Sequence, residues 1–138
     1  MVADWQTVAF GLARIGPPVA YVGFSMGAIF GIPTVAAMPS IQAAVFVAGG
    51  IPTGGGIDDE PLRPLLISEA GRLSHPNILM LNKTGDSIFA MDDCSLLFDA
   101  IPGDRKRLAF SEGEHDDWPD ELIDDSISFV QDNVLEVA

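Results

Sequence analysis

Three polar residues stand shortly after apolar runs of strand length. Ser25 lies in GFSMG, behind VAYVGF; Asp86 lies in TGD, behind NILML; His115 lies in SEGEHDD, behind RLAF. A serine hydroxyl is a weak nucleophile until a base takes its proton, and a neutral imidazole can do so. A carboxylate on the far side of the ring fixes the tautomer and stabilises the imidazolium that forms. Serine, aspartate and histidine therefore make a coherent set for attack on a carbonyl carbon. The chain has only 2 histidines, so candidates for the base are few. His75 precedes Pro76 at the entry to an apolar run, where a solvated turn role accounts for it. His115 follows such a run and is the better candidate.

The spacing around Ser25 adds a second argument. In Gly23-x-Ser25-x-Gly27 the serine falls between a strand pattern and a helix pattern. A nucleophile exposed above a sheet needs that sharp strand-to-helix turn, with glycines where backbone passes close. The N–H of Met26, at the start of the following helix, then faces the carbonyl under attack and can stabilise an oxyanion. A bare GxSxG is weak evidence, and its context raises its value.

Positioning these residues requires a particular order of elements. Val2, Trp5, Val8, Ala9 and Leu12 recur at helical spacing, which predicts a helix over 3–14, broken by Gly16-Pro17-Pro18. Strands are expected at Val19–Phe24, Ala43–Ala48, Asn77–Leu81 and Arg107–Phe110. Helices are expected at Met26–Met38, Pro61–Leu73, Asp92–Ile101 and Pro119–Val134, the first kinked or shortened by Pro33. In the last helix Pro119 suits the first position, and Leu122, Ile123, Ile127, Phe129, Val130 and Val134 supply the apolar positions. Strands of continuous apolar character alternating with helices predict an α/β fold: three layers, with a predominantly parallel sheet of about four strands. Residues 1–138 read as a single domain. In such sheets sites lie at the carboxyl ends of the strands, where Ser25, Asp86 and His115 all fall.

Bulk properties narrow the partners. The 138 residues carry a net charge of −13, which repels phosphate backbones and anionic headgroups, so nucleic acid is not expected as a partner. Cys94 is the only cysteine and excludes an intrachain disulfide. MVADWQ has no basic stretch of the kind that opens a signal peptide, and a cytoplasmic location is the expectation. Val19–Met38 is 20 residues without a charge, and Gly23, Gly27 and Gly31 repeat at the interval that packs membrane helices. Against a membrane span, Pro17, Pro18, Pro33, Pro39 and Pro52 cut the region into strand- and helix-sized pieces. Basic flanks that would orient a span are also nearly missing.

The segments VAYVGFSMGAIFG, ILMLNKTGDSIF and RLAFSEGEHDDW resemble the nucleophile, acid and histidine segments of the α/β-hydrolase superfamily. The nearest likeness is to small serine esterases and dienelactone hydrolase-like members, and it covers the chain from about residue 3 onward. The resemblance implies Ser25 as nucleophile, Asp86 as acid, His115 as base and Met26 as one oxyanion donor, in the family's chain order of serine, acid, histidine. Dienelactone hydrolases proper usually carry cysteine as nucleophile, so serine here points to hydrolysis of a small-molecule carboxylic ester. No metal or organic cofactor is called for. The chain departs from the family in one respect. There the elbow follows the fifth strand, and an upstream loop gives a second oxyanion N–H; here the elbow follows the first strand and no HGG-like segment occurs. The sequence thus reads as a hydrolase lacking the N-terminal strands, with weakened activity. The alternative is a non-catalytic or truncated module that forms a homo-oligomer through an exposed sheet edge at 19–24.

Other features have simpler explanations. GGIPTGGG at 49–56 lacks the GK[ST] ending and the immediate helix of a phosphate loop, and 49–76 reads instead as a lid or specificity region. Asp116, Asp117, Asp120, Glu121, Asp124 and Asp125 suit the start of a helix with a solvated face better than a metal cluster. Cys94 reads as a small packed side chain. Trp118 either walls the site or staples the last helix.

Overall fold

The alternation of strand and helix patterns takes shape as five helices and four strands in a computed structural model that describes residues 2–11, 16, 19–57 and 59–134. In chain order these are α1 (Val2–Gly11), β1 (Ala20–Phe24), α2 (Met26–Ala36), β2 (Ala43–Val47), α3 (Leu62–Ala70), β3 (Asn77–Lys83), α4 (Met91–Ala100), β4 (Lys106–Ser111) and α5 (Asp120–Val134). The end of the helix expected over 3–14, its apolar stripe at Trp5, Val8, Ala9 and Leu12, and the break at Pro17-Pro18 lie outside what the structure describes.

All four strands pair in parallel in the order β1-β2-β3-β4. Side chains alternate between the two faces, as the period of two in a strand requires. Ala44, Phe46, Ile78 and Met80 pack on one face with Ile29, Ile32, Leu66, Phe89 and Leu97 from α2, α3, α4 and the loop before α4. Val45, Leu79 and Leu81 pack on the other face with Trp118, Phe129 and Val130. Helices thus cover both faces, which is why β2 and β3 read as uninterrupted apolar runs. The three layers and the four-stranded parallel sheet are those expected from the sequence.

Several element bounds shift by one to three residues from the expected ones, α3 for instance ending at Ala70 and not at Leu73, and three elements differ in ways that bear on the site or its surroundings. Strand β3 runs two residues past Leu81, through Asn82 and Lys83, because both polar side chains find backbone partners. Asn82 Nδ2 donates to the Gly49 carbonyl at 2.8 Å and Lys83 Nζ to the Glu112 carbonyl at 3.0 Å. Helix α2 passes through Pro33 and stops at Ala36, two residues short of Met38. In α5, Leu122, Phe129 and Val130 are half-buried, whereas Ile123 and Ile127 are 54% and 51% exposed. Both isoleucines line an apolar groove of about 310 Å³ beside Val22, Phe24 and Val47, along the outer edge of β1. No helix among the described residues is long and apolar enough to cross a membrane.

Phe46, 1% exposed, fills the centre of the larger core. Phe46→Ala is expected to cost about 3–5 kcal/mol, since the cavity it leaves is lined by side chains already held on two sides. The change should appear in urea unfolding as a lower midpoint with an unchanged slope.

Candidate active site

The site begins with the end of β1. The ladder that pairs Phe24 with Val47 continues one bond further, as the Ser25 N–H donates to the Val47 carbonyl at 2.9 Å. The Ser25 carbonyl then accepts the N–H groups of Ala28 at 2.9 Å and Ile29 at 3.1 Å, which opens α2. Held as last rung of a strand and first turn of a helix, Ser25 adopts φ 53° and ψ −110°. A non-glycine residue there costs on the order of 1–3 kcal/mol and persists only where its surroundings over-determine it.

The two glycines of the GxSxG pattern are not equivalent. A Cβ on Gly23 would stand 2.5 Å from the Gly27 carbonyl oxygen and 2.7 Å from the Tyr21 ring, whereas a Cβ on Gly27 would meet nothing within 4 Å. The close approach expected of both belongs to Gly23 alone. The backbone carbonyl of Gly27 is the group that passes close, and the Tyr21 hydroxyl donates to it at 2.7 Å. Burial pushes the Tyr21 phenol upward, which keeps it protonated as that donor.

Asp86 and His115 reach Ser25 from the next two loops on the same edge. The β3–β4 ladder runs on past Lys83 and Ser111: the Thr84 N–H donates to the Ser111 carbonyl at 3.0 Å and the Gly85 N–H to the Gly113 carbonyl at 2.9 Å. The two loops are therefore zipped at their roots. Asp86 has a fully buried side chain. Its Oδ1 accepts the N–H groups of Ile88 at 2.8 Å and Phe89 at 3.0 Å, a turn closed by the aspartate itself. Its Oδ2 is left for His115 Nδ1, at 2.7 Å. With the ring proton on Nδ1, Nε2 is an acceptor, and the Ser25 Oγ lies 2.9 Å from it. The imidazole is flanked by Phe24 and Phe89, with ring centroids 5.7 and 5.6 Å away.

The structure thus brings together Ser25, Asp86 and His115, with the Met26 N–H at the start of α2 next to the serine. His75 is elsewhere, beside Gln42, Asn77 and Arg105 near the amino ends of the strands, with Nε2 buried and no hydrogen-bond partner among the described residues. The described residues contain no group of three or more His, Cys, Asp or Glu side chains arranged to hold a metal ion. Loop 49–57 lies against the acid loop, where Thr53 N–H donates to the Ile88 carbonyl at 2.9 Å. Cys94 is buried, its Sγ 3.8 Å from the Gly49 carbonyl and 3.7 Å from the Phe89 carbonyl. Burial first, then the charges of Asp86 and Asp93, push its thiol up to about 12. Trp118 stands between the two roles left open by the sequence, packed at the β1 edge near α5 and tied to the histidine loop. It lines the apolar groove, and its indole N–H donates to the His115 carbonyl at 2.7 Å. Sequence reasoning missed Tyr21, Phe89 and Lys83, whose partners are distant in the chain and leave no local pattern.

Parallel strands in this order, covered by helices on both faces, with a strained serine between strand and helix, define the α/β-hydrolase fold. Solved structures with that fold superpose on nearly the whole chain. A cold-adapted esterase from an Arctic intertidal metagenomic library matches at a TM-score of 0.82 and 22% identity, over 96% of this chain and 57% of its own. TT1662 from Thermus thermophilus matches at 0.75 and 18%, over 96% of this chain and 62% of its own. The Pyrococcus furiosus esterase Pf2001 matches at 0.73 and 13%, again over 96% and 62%. The chain therefore spans about three fifths of the length of these structures. No protein-family model and no curated protein matches the sequence.

Two expectations follow from this geometry. Gly23→Ala should destabilise the fold by about 1–3 kcal/mol through overpacking, while Gly27→Ala should stay within about 0.5 kcal/mol of the parent; thermal melts of the pair test this. A thiol whose folded value is raised from 9.0 to about 12 stabilises the fold fully below pH 9, and that contribution is lost as pH rises toward 12. Accordingly, a disulfide reagent at mildly alkaline pH should find no thiol in the native protein and one after denaturation.

Proposed function

We propose that this chain carries the site of a serine hydrolase acting on small-molecule carboxylic esters through an acyl-enzyme. Ser25 Oγ attacks the ester carbonyl carbon while His115 Nε2 takes its proton. The oxyanion that forms is held by the Met26 N–H at the positive end of α2. The tetrahedral intermediate collapses, His115 returns the proton to the departing alkoxide, and an alcohol leaves. Water then gives a proton to His115 as its oxygen attacks the acyl carbon; the second tetrahedral intermediate collapses, His115 returns the proton to Ser25 Oγ, and the acid departs. Throughout, Asp86 keeps the ring in one tautomer and offsets the imidazolium charge.

The observation that carries this reading is the unbroken chain of hydrogen bonds from Asp86 through His115 to Ser25, at 2.7 and 2.9 Å, ending on a strained serine. The esterases among the superposed structures add support at the level of the fold. One oxyanion donor is assigned here, and loss of one donor of a pair costs about 10²–10³ in rate, so slow turnover is expected.

A second reading is favoured by the outer edge of β1, where Val22 and Phe24 are 57% and 48% exposed beside the apolar groove. An unpaired apolar edge invites pairing, and in this reading the chain self-associates through residues 19–24 without catalysis.

Treatment with a fluorophosphonate probe decides between them. The expected result is an adduct mapped by mass spectrometry to Ser25, absent in Ser25→Ala, with slow hydrolysis of short-chain esters. Asp86→Asn should lower that rate by about 10⁴-fold, the loss seen when the histidine is held in the wrong tautomer. A folded protein that takes up no probe, with light scattering that reports a stable oligomer, would favour the second reading.

A further inference from the structure

We propose that Lys83 and Trp118 form a clamp that sets the position of His115, and that both are positioning residues for the base. Lys83 is only 3% exposed at the carboxyl end of β3, and none of the ion pairs among the described residues includes it. A buried ammonium without a carboxylate is costly unless hydrogen bonds compensate it, so what Lys83 bonds to bears on why the side chain can sit there. Its Nζ donates to the Glu112 carbonyl at 3.0 Å and lies 4.9 Å from the centre of the Trp118 ring. These contacts fall on the two ends of the loop that carries His115.

The clamp continues to the imidazole through backbone. The Trp118 indole N–H donates to the carbonyl of His115 itself, at 2.7 Å. Backbone-to-backbone bonds to the acid loop reach only as far as Gly113, which sits at φ 126°, and past it the one bond to that loop is made by the His115 ring to Asp86. Beyond Gly113 the backbone bonds within the loop are local, from Asp117 N–H to the Glu114 carbonyl and from Trp118 N–H to the Asp116 carbonyl, both 3.2 Å. The indole bond is thus the tie between the His115 backbone and a side chain packed on the sheet. Phe24, the residue before the nucleophile, meets the Trp118 ring edge-on at 6.0 Å and 88°. One packed unit therefore spans from the strand that carries Ser25 to the loop that carries its partner. The cation on the ring face and the edge-on phenylalanine both favour a single ring orientation.

The kinetic part of this inference rests on the hydrolase reading, so its test includes a readout that does not. Trp118→Phe keeps a ring and removes the indole donor; Lys83→Met keeps the length of the stem and removes the charge. Each is compared with the parent by the rate of Ser25 labelling by a fluorophosphonate, by ester kinetics, and by the downfield proton NMR signal of the His115 Nδ1–H bonded to Asp86. Near-ultraviolet circular dichroism identifies the variants that keep the fold. The expected result in a folded variant is labelling slowed by up to about 10²-fold, the effect of a displacement near 1 Å, with kcat reduced and KM little changed. The downfield signal should broaden or vanish in the same variants. Lys83→Arg, which keeps a donor and a cation, is expected to recover both. A parent that takes no probe yet shows the downfield signal, with that signal lost in the variants, would uphold the clamp and overturn the hydrolase reading. Labelling and signal both unchanged in folded Trp118→Phe and Lys83→Met would overturn the clamp.

Discussion

Parallel pairing of four neighbouring strands is the constraint on which the rest of this structure depends. In a parallel sheet every strand ends on the same edge, so loops that follow β1, β3 and β4 share that edge however far apart they lie in the chain. Ser25 and His115 are separated by 90 positions, yet the Oγ of one and the Nε2 of the other lie 2.9 Å apart. The ladder does more than bring the loops to one side. It extends past the formal strand ends, through Ser25 N–H to Val47 and through Thr84 and Gly85 to Ser111 and Gly113. Each polar residue of the site is thereby tied to a rigid strand within a few bonds, which is the condition for holding reacting groups to sub-ångström tolerance.

Asp86, Lys83 and the amide nitrogen of Asn82 are buried at that edge and hydrogen-bonded, and those bonds shape the loops. Asp86 has both carboxylate oxygens engaged, one by its own loop and one by the histidine. Asn82 ties the end of β3 to Gly49, at the exit of β2, and Lys83 ties it to the root of the histidine loop. Unpaired in so dry a place, any of these groups would cost more than a typical core contact contributes. The network therefore specifies the loop conformations more tightly than apolar packing could. Strain at Ser25 is the counterpart: the surrounding bonds hold a conformation the residue would not adopt alone.

The two edges of the sheet differ in exposure. Strand β4 is half-buried along most of its length, whereas Val22 and Phe24 of β1 are exposed and continuous with Ile123 and Ile127 of α5. No charged residue occurs between Ile15 and Ile57, so this edge has none of the lysines that usually discourage strand addition. The acidity of the chain is concentrated elsewhere, on exposed positions of the loop and helix that follow β4.

Much of this was legible in the linear sequence. Apolar runs of strand length alternating with helical patterns specify a parallel α/β sheet, because burial on both faces leaves no room for polar alternation. The Gly-x-Ser-x-Gly spacing marks the turn, and the places of Asp86 and His115 after strands mark the edge they share. Those features are local, and local patterns survive in one dimension. What the linear order could not carry is which contacts close between distant segments. That β3 extends through Asn82 and Lys83, that Gly23 and not Gly27 takes the close approach, and that Trp118 reaches back to the His115 carbonyl were decided by the packing of loops against one another. Each depends on distances between residues whose neighbours in space are not their neighbours in sequence, and only the folded sheet sets those distances.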